Sequence, residues 1–271
     1  MDNDTRPAET VEAVERAVGV LNALKDLDGA GVTELSEYLG MSKSGVYKQL
    51  STLVKTGMVT KQQTEYRLSF RFLLLGEYVK TNSQLYAIGA DEVDKLAEKS
   101  NYFAYLTAMD SEYAYCIHTA DGEDSVVPNL SVGKQITLHS SAAGKAILSQ
   151  LSDAKRDWLL DGTLTGKTEN TITDRATLED ELQTIRKEGI AFEDEENVPG
   201  MRGVGAPILS EEGSVVGAVA VSGPLSLLTE DHFTEEVPAL VRQTKNFVEV
   251  KFSLESRDPL EEGSHIPEDL Y

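Results

Sequence analysis

The sequence predicts an α+β fold in two domains: an N-terminal winged helix-turn-helix and a C-terminal antiparallel sheet with flanking helices. Residues 32–59 have the pattern of two short helices joined by a glycine turn, and a polar hairpin follows them. From residue 102 onward, strand patterns paired through turns alternate with helical patterns, which is typical of an α+β domain. A chain of 271 residues can bury two such cores.

The first predicted element is a supporting helix ahead of the helix pair. Its expected buried stripe has helical spacing and consists of Val14, Val18, Leu21 and Leu24. We expect Thr33 to cap the next helix through its hydroxyl. Gly40 should end that helix, because glycine tolerates the left-handed conformation of a helix C-terminus.

The second helix of the pair carries the candidate recognition surface. Ser42 is its expected N-cap and Gly57 its expected end. The expected buried stripe is Val46, Leu50, Leu53 and Val54. The opposite face offers hydroxyl, phenol and ammonium groups that suit base edges and phosphates: Ser44, Tyr47, Lys48, Ser51 and Lys55. A hairpin with residues 61–64 at its tip would form the wing.

An ordinary three-helix bundle with a solvated polar face would give the same pattern, but the local charge favours DNA. Residues 41–80 hold 7 basic and 2 acidic side chains, whereas residues 81–271 hold 15 basic and 35 acidic ones. Phosphate binding requires such a local excess of cations. We therefore expect double-stranded DNA to contact this surface alone, through Lys43, Ser44, Tyr47, Lys48, Ser51, Lys55, Lys61, Gln62 and Arg67.

The formal charge of the whole chain is −21. A disordered acidic chain is one explanation, but 40% of the residues are hydrophobic and periodic segments continue to about residue 254. We favour a folded protein from a halophilic, salt-accumulating source. Only residues 255–271, which are charged and aperiodic, are expected to be a disordered tail.

Several classes of site are disfavoured by composition. A single cysteine, Cys116, allows neither an internal disulfide nor a thiolate zinc site. The four histidines show no helical metal-ligand spacing, and we expect neither a metal nor a cofactor. The sequence shows no membrane-length apolar run and no basic, apolar signal at its acidic N-terminus, so we expect a cytoplasmic protein.

The rest of the chain divides into a linker and a mixed domain. We expect the winged helix-turn-helix to occupy residues 1–76, a linker helix 77–100 and the α+β domain 101–254. The expected strands of the latter are 102–109, 113–119, 135–138, 190–193, 204–209 and 214–222. The expected helices are 141–151, 174–188 and about 230–253, and Pro238 should kink the last helix or mark its start.

Six separated segments resemble the isocitrate lyase regulator (IclR) family of transcription factors. They are ERAVGVLNAL (15–24), LSEYLGMSKSGVYKQLSTLVKTGMV (35–59), YRLSFRFLLLGEY (66–78), LHSSAAGKAIL (138–148), LEDELQTIRKEGIAFEDEE (178–196), and MRGVGAPIL with GAVAVSGP (201–224). The resemblance covers about residues 10–253. It implies a dimerising linker helix and a GAF-like C-terminal domain that binds a small metabolite.

The resemblance also implies the partners and the effector pocket. Members repress or activate transcription as homodimers, or as tetramers built from dimers, and a dimer would meet a near-palindromic operator. The pocket residues carried over by position are Ser141, Ala142, Ala143, Glu193, Met201, Gly203, Ala220 and Ser222. Many members have a cysteine in place of Gly203 and a Ser or Thr in place of Ala220, so two polar contacts are missing and the ligand class is open.

Three alternatives remain beside this interpretation. Gly144 and Lys145 suggest a phosphate loop, but the first glycine of that motif is absent, and a helix N-terminus facing an anionic ligand or a plain capped helix fits better. The carboxylate run 193–196 fits a solvated acidic loop, with Glu193 alone facing the pocket. Finally, the chain could be a metabolite sensor or enzyme whose winged helix binds protein, although we identify no catalytic constellation and expect no enzyme.

Overall fold

The computed structural model describes residues 10–126 and 130–257, which form two compact units that divide between Lys80 and Thr81. The N-terminal unit contains the helix α1, the helix-turn-helix pair α2 and α3, a hairpin of strands β1 and β2, and the helix α4. Their bounds are α1 Glu12–Asp26, α2 Val32–Leu39, α3 Lys43–Lys55, β1 Val59–Gln62, β2 Glu65–Leu68 and α4 Arg71–Thr81. The predicted winged helix-turn-helix is confirmed.

The N-terminal core forms between α1, α2, α3 and the hairpin. Leu24, Leu35, Val46, Leu50 and Val59 are buried in it. The prediction for α1 was wrong in part. Val20, Ala23 and Leu24 face the core, whereas Val14 and Val18 are exposed. Several overlapping apolar stripes run along this helix, and helical spacing alone does not tell which one faces the core.

The ends of these helices follow local chemistry with one exception, and one core prediction fails. Gly40 adopts the left-handed conformation at φ 64° and Ser42 caps α3, both as predicted. However, α2 begins at Val32 after Gly31, so Thr33 lies inside the helix and is not its cap. Val54, expected in the core, is partly exposed.

The wing is shorter at its tip than predicted. Strand β1 extends through Lys61 and Gln62, and the turn consists of Gln63 and Thr64, with Gln63 at φ 55°. The linker prediction also needs correction. Two helices replace the single helix expected at 77–100, because α4 passes through Gly76 to Thr81 and a second helix begins after Ser83. The first unit accordingly ends at Lys80 and not at residue 76.

The C-terminal unit is a five-stranded antiparallel sheet with helices on both faces, which confirms the predicted class. Its strands are β3 Phe103–Asp110, β4 Tyr113–Ala120, β5 Ala191–Asp194, β6 Met201–Leu209 and β7 Val215–Pro224, in the order β4-β3-β7-β6-β5. Its helices are α5 Gln84–Ser100, α6 Ala142–Gln150, α7 Asp153–Leu159, α8 Arg175–Glu188 and α9 Val237–Arg257, with a π-helical turn His232–Glu236 before α9.

Alternating side chains of the sheet divide between two cores. Leu106 and Val219 pack with α5 and α9, whereas Phe103 and Ala218 pack with α6 and α8. The start of α6 lies directly on the sheet: a Cβ atom at Gly205 would come within 2.8 Å of the Ala142 carbonyl carbon. Glycine at this position therefore sets how closely α6 approaches β6.

Other predictions for this unit need adjustment. Gln135 forms an isolated bridge with Tyr115 in place of the strand expected at 135–138, and α7 was not predicted. Pro238 is the second residue of α9 and directly follows the π-helical turn His232–Glu236, so it stands at the start of α9, one of the two expected outcomes. Of the predicted tail, 255–257 continue α9 and 258–271 lie outside the described residues. Within the described ranges, every helix lacks the length and apolarity required to cross a membrane.

Candidate functional site

Helix α3 presents a polar face to solvent in the N-terminal unit. The Ser42 Oγ accepts the N–H of Gly45 at 3.2 Å and fixes the start of the helix. Val46, Leu50 and Leu53 anchor the opposite side in the core. The nine residues predicted to contact DNA are all exposed: Lys43, Ser44, Tyr47, Lys48, Ser51, Lys55, Lys61, Gln62 and Arg67. A helix held in this way can enter a major groove with its polar face outward.

Two cations near the wing already have partners. The Arg67 guanidinium lies 3.6 Å from Asp28 and 3.4 Å from Glu65, both exposed carboxylates. The Lys61 ammonium stands 5.3 Å from the centroid of the Tyr66 ring. Exposed ion pairs contribute little, so Arg67 can exchange its carboxylates for a phosphate at small cost.

Arg71 has a structural role that the sequence pattern did not predict. Its Nη1 donates to the carbonyl oxygen of Thr56 at 2.8 Å, and the Ser69 Oγ donates to that of Gly57 at 2.6 Å. These bonds satisfy carbonyl groups that the end of α3 leaves without a helical donor. Arg71 therefore fixes the end of α3. Its guanidinium, one of the seven basic groups of residues 41–80, is used for this structural hydrogen bond.

The C-terminal unit contains a cavity of about 200 Å³ between the sheet and the segments that precede α6 and follow β5. Tyr105, Ile136 and Met201 are among its apolar walls. Its polar lining consists of Lys134, Gln135, Thr137, Ser141, Lys167, Glu193, Asn197 and Ser222. A small enclosure with a few convergent polar groups is typical of a ligand site.

Glu193 is the buried carboxylate of this cavity, with 5% of its surface exposed. Its Oε1 accepts the N–H groups of Glu196 at 2.8 Å and Asn197 at 3.0 Å. Burial raises the pKa of Glu193 to about 7, although these two N–H donors and the Lys145 ammonium oppose the increase. Glu193 can therefore change its protonation state near neutral pH.

Lys167 is a cation of the same cavity. Its ammonium donates to Thr137 Oγ1 at 2.5 Å and to Asn197 Oδ1 at 2.8 Å. Burial and the neighbouring Lys134 lower the pKa of Lys167. Lys134 and Lys167 were not predicted as cavity residues, because residues 130–134 and 161–173 have no helical or strand pattern.

The eight residues predicted for the pocket divide into two groups. Ser141, Glu193, Met201 and Ser222 line the cavity. The other four are buried in α6 and the sheet nearby: Ala142, Ala143, Gly203 and Ala220. A Cβ atom at Gly203 would lie 3.1 Å from Glu193 Oε2 and 3.4 Å from the Ala142 Cβ, so glycine leaves this space to the carboxylate.

A buried charge network adjoins the cavity. Lys145, fully buried in α6, lies 2.5 Å from Glu181 of α8 and 2.5 Å from Glu196 after β5. Burial raises the pKa of Glu196, and the Lys145 ammonium counteracts this. The solvated acidic loop expected at 193–196 is thus wrong for Glu196, which is buried, whereas Glu193 lines the cavity as expected. Lys145 is a structural cation and not a phosphate ligand.

A winged helix-turn-helix joined to an α+β domain with a small polar cavity defines a class of protein, the ligand-responsive transcription regulators. Family models for the "IclR helix-turn-helix domain" and the "Bacterial transcriptional regulator IclR C-terminal" match residues 13–63 and 78–249. The chain belongs to the IclR family. It is a transcription regulator with an N-terminal DNA-binding domain and a C-terminal effector-binding domain.

Individual relatives agree with the family models. The chain is 32% identical over 246 residues to a protein of Halobacterium salinarum described as "Probable HTH-type transcriptional regulator ArcR", covering 89% of this chain and 94% of the relative. The crystal structure of the Thermotoga maritima IclR is 27% identical, with a TM-score of 0.74, and the match covers 89% of this chain and 98% of that one.

A third comparison concerns the fold alone. An IclR homologue from Microbacterium hydrocarbonoxydans, solved in complex with 4-hydroxybenzoate, is 18% identical with a TM-score of 0.76, over 89% of this chain and 98% of that one. The relatives are named as regulators of transcription.

Proposed function

We propose that α3 and the wing bind an operator, and that a metabolite in the C-terminal cavity controls this binding without being transformed. The observation that carries the proposal is the exposed polar face of α3 inside the basic segment 41–80 of a chain whose remainder is strongly acidic. The acidic remainder repels phosphate, so the orientation on DNA is restricted to this face. Tyr47, Lys48 and Ser44 would meet bases or phosphates, and Lys43, Lys55, Lys61 and Arg67 would contact the backbone.

The regulator is proposed to act as a homodimer, alone or paired into a tetramer, on a near-palindromic site. The support comes from α4, in which no residue is buried. Phe70, which directly precedes α4, is 89% exposed and Leu74 is 70% exposed, and Leu73 and Tyr78 add to this apolar stripe. Val14 and Val18 add exposed apolar surface on α1. Apolar helix faces of this extent are typical of protein interfaces.

We also propose that the protein works in a salt-rich cytoplasm. The charge of −21 supports this, as does the relative from Halobacterium salinarum. High salt weakens the binding that comes from counterion release. Direct contacts to base edges would therefore contribute a larger share of the operator affinity than in a protein that works at low salt.

Footprinting on the DNA upstream of the chain's own gene, across a series of salt concentrations, tests the proposal. We expect a protected site with two symmetric halves. In Lys48→Ala the operator affinity should fall about tenfold, because one charge-assisted contact is lost. If that contact is to phosphate, the dependence of the affinity on salt should also become shallower.

Lys155→Ala is the matched control, because Lys155 is an exposed lysine of α7 in the other unit. Its footprint should equal that of the unsubstituted protein. Absence of protection at every salt concentration would overturn the proposal, and equal losses in the two lysine variants would remove α3 from the contact.

A further inference from the structure

A second opening of the C-terminal unit is a groove of about 570 Å³ beside α7. The start of β4, the segment 135–139 ahead of α6 and the end of α7 line it. Residues 135–137 also line the cavity that contains Glu193, but neither Glu193 nor Lys167 lines the groove. The groove is therefore a separate site, and its volume lies within the range of about 300–1,000 Å³ that small-molecule sites occupy.

Two exposed aromatic side chains line the groove. Trp158 of α7 is 54% exposed and Tyr113 of β4 is 46% exposed. In the part of the chain that the structure describes, neither ring belongs to a hydrophobic core. A tryptophan that remains half in water forgoes much of the stabilisation that burial of its large ring would supply. Two such rings in one groove indicate a contact with a molecule from solvent.

The helix that carries Trp158 is attached firmly to the rest of the unit. Arg156, the buried residue of α7, lies 2.9 Å from Glu179 of α8. Arg175 of α8 lies 2.8 Å from the same Glu179 and 2.5 Å from Asp157, the neighbour of Trp158. Because this network restrains α7, a ligand finds the indole ring already in place and does not have to order it.

The charge of the lining favours a cation. Glu112 supplies a carboxylate, and the lining includes no lysine or arginine among the residues that the structure describes. The faces of aromatic rings carry negative partial charge and attract cations as well. The remaining lining is largely apolar and includes Ile136, Leu138, Leu159 and Leu160. A strongly hydrated cation, such as a metal ion or a primary ammonium, would lose much of its hydration there, whereas a cation with apolar substituents loses less.

We propose that this groove is a second ligand site of the protein, which binds a methylated ammonium cation against the rings of Trp158 and Tyr113 with Glu112 as its counter-charge. The methyl groups of such a cation contact the rings and the apolar lining, and its charge is attracted by the rings and the carboxylate. A zwitterion with its own carboxylate is disfavoured, because that group would lie near Glu112.

Fluorescence titration of the full chain tests this inference, because Trp158 is the single tryptophan and its emission reports on the groove directly. Choline and benzyltrimethylammonium chloride are added at constant high salt. The comparisons are 3,3-dimethyl-1-butanol, the uncharged isostere of choline, and glycine betaine, which adds a carboxylate. At least one cation should give a saturable change, with an affinity at least about tenfold above both comparison compounds. No saturable change with either cation, or equal affinity for the alcohol, overturns the inference.

Variants separate the groove from the general attraction of cations to a chain with a charge of −21. Glu112→Gln should weaken binding of the better cation at least about fivefold, because the counter-charge is lost. Glu212→Gln removes an equal charge at an exposed residue of the turn between β6 and β7, and its affinity should equal that of the unsubstituted protein. Equal losses in these two variants, or none in Glu112→Gln, overturn the inference.

Calorimetry of the ring variants completes the test. Tyr113→Leu and Trp158→Leu should each weaken the cation at least about fivefold, whereas Tyr113→Phe and Trp158→Phe, which keep a ring, should retain most of the affinity. Unchanged affinity in both leucine variants overturns the inference. Light scattering on Trp158→Leu tests the other occupant, a second copy of the chain: a fall in molar mass would assign the groove to a subunit contact and overturn the ligand site.

Discussion

At the scale of single residues, Glu193 has the most consequential environment. A buried carboxyl with a pKa of about 7 holds a proton in the folded state at a pH where the unfolded chain, at about 4.5, has lost it. Burial of the charged Glu193 carboxylate therefore destabilises the folded state. This cost is absent below about pH 4.5, grows as the pH rises, and is complete above about 7.

Replacing Glu193 by glutamine should remove that cost. We expect the free energy of unfolding of Glu193→Gln, relative to the unsubstituted protein, to increase between about pH 5 and about pH 8, by at most about 3 kcal/mol. Denaturant titrations at constant salt measure the difference. Glu212→Gln, at an exposed residue of the turn between β6 and β7, serves as the control and should give a nearly flat difference. A flat difference for Glu193→Gln would contradict the burial of its charge.

Sequence reasoning identified Glu193 but not the cations that share its cavity. Glu193 stands in a segment that carries a family pattern, and Ser141, Met201 and Ser222 do too. Lys134 and Lys167 stand in aperiodic loops, and only the tertiary fold brings loops together. The sequence does not distinguish a lysine whose ammonium faces bulk water from one whose ammonium faces a cavity.

At the scale of elements, Lys145 connects three segments. It lies inside α6 and pairs with Glu181 of α8 and Glu196 of the loop after β5. Within the described residues the Glu196 Oε2 is buried without a hydrogen-bond partner. Removing the cation leaves two carboxylates without their counter-charge, which costs more than the intact network contributes.

Lys145→Met should therefore destabilise the protein strongly, by about 3–5 kcal/mol. Adding Glu196→Gln to Lys145→Met should recover part of this loss, because the second substitution removes one of the uncompensated charges. Lys155→Met, on an exposed face of α7, should stay within about 0.5 kcal/mol of the unsubstituted protein. Chemical denaturation measures all three variants, and additive effects of the two network substitutions would contradict the coupling.

Periodicity predicted most helices and strands of both units, since a spacing of 3.6 or 2 records which residues share a face. It failed where a face has no core beneath it. Val14 and Val18 have helical spacing and are exposed, and α4 carries an apolar pattern without a buried residue. An apolar stripe indicates that something covers it, and the covering surface can belong to another chain.

At the scale of the whole molecule, charge and apolar surface are distributed unequally. The basic excess lies in residues 41–80, and the exposed apolar helix α4 immediately follows the wing. Two copies joined through α4 would present two α3 helices to one DNA molecule, and two half-sites bind more tightly than one because the second contact is intramolecular. Dimerisation and operator affinity should therefore be lost together.

Leu74→Glu tests this coupling. The substitution places a charge on the exposed apolar stripe of α4 and removes no buried contact. We expect the molar mass measured by light scattering after gel filtration to fall from about twice the chain mass of 29.6 kDa to that of a single chain. Operator affinity should fall by at least about a hundredfold with the loss of the second half-site, and the circular dichroism spectrum should not change. Val250→Glu, which charges an exposed valine of α9, is the matched control and should remain a dimer with full affinity. A dimer that survives Leu74→Glu would place the interface elsewhere, and a monomer that retains full operator affinity would separate dimerisation from DNA binding.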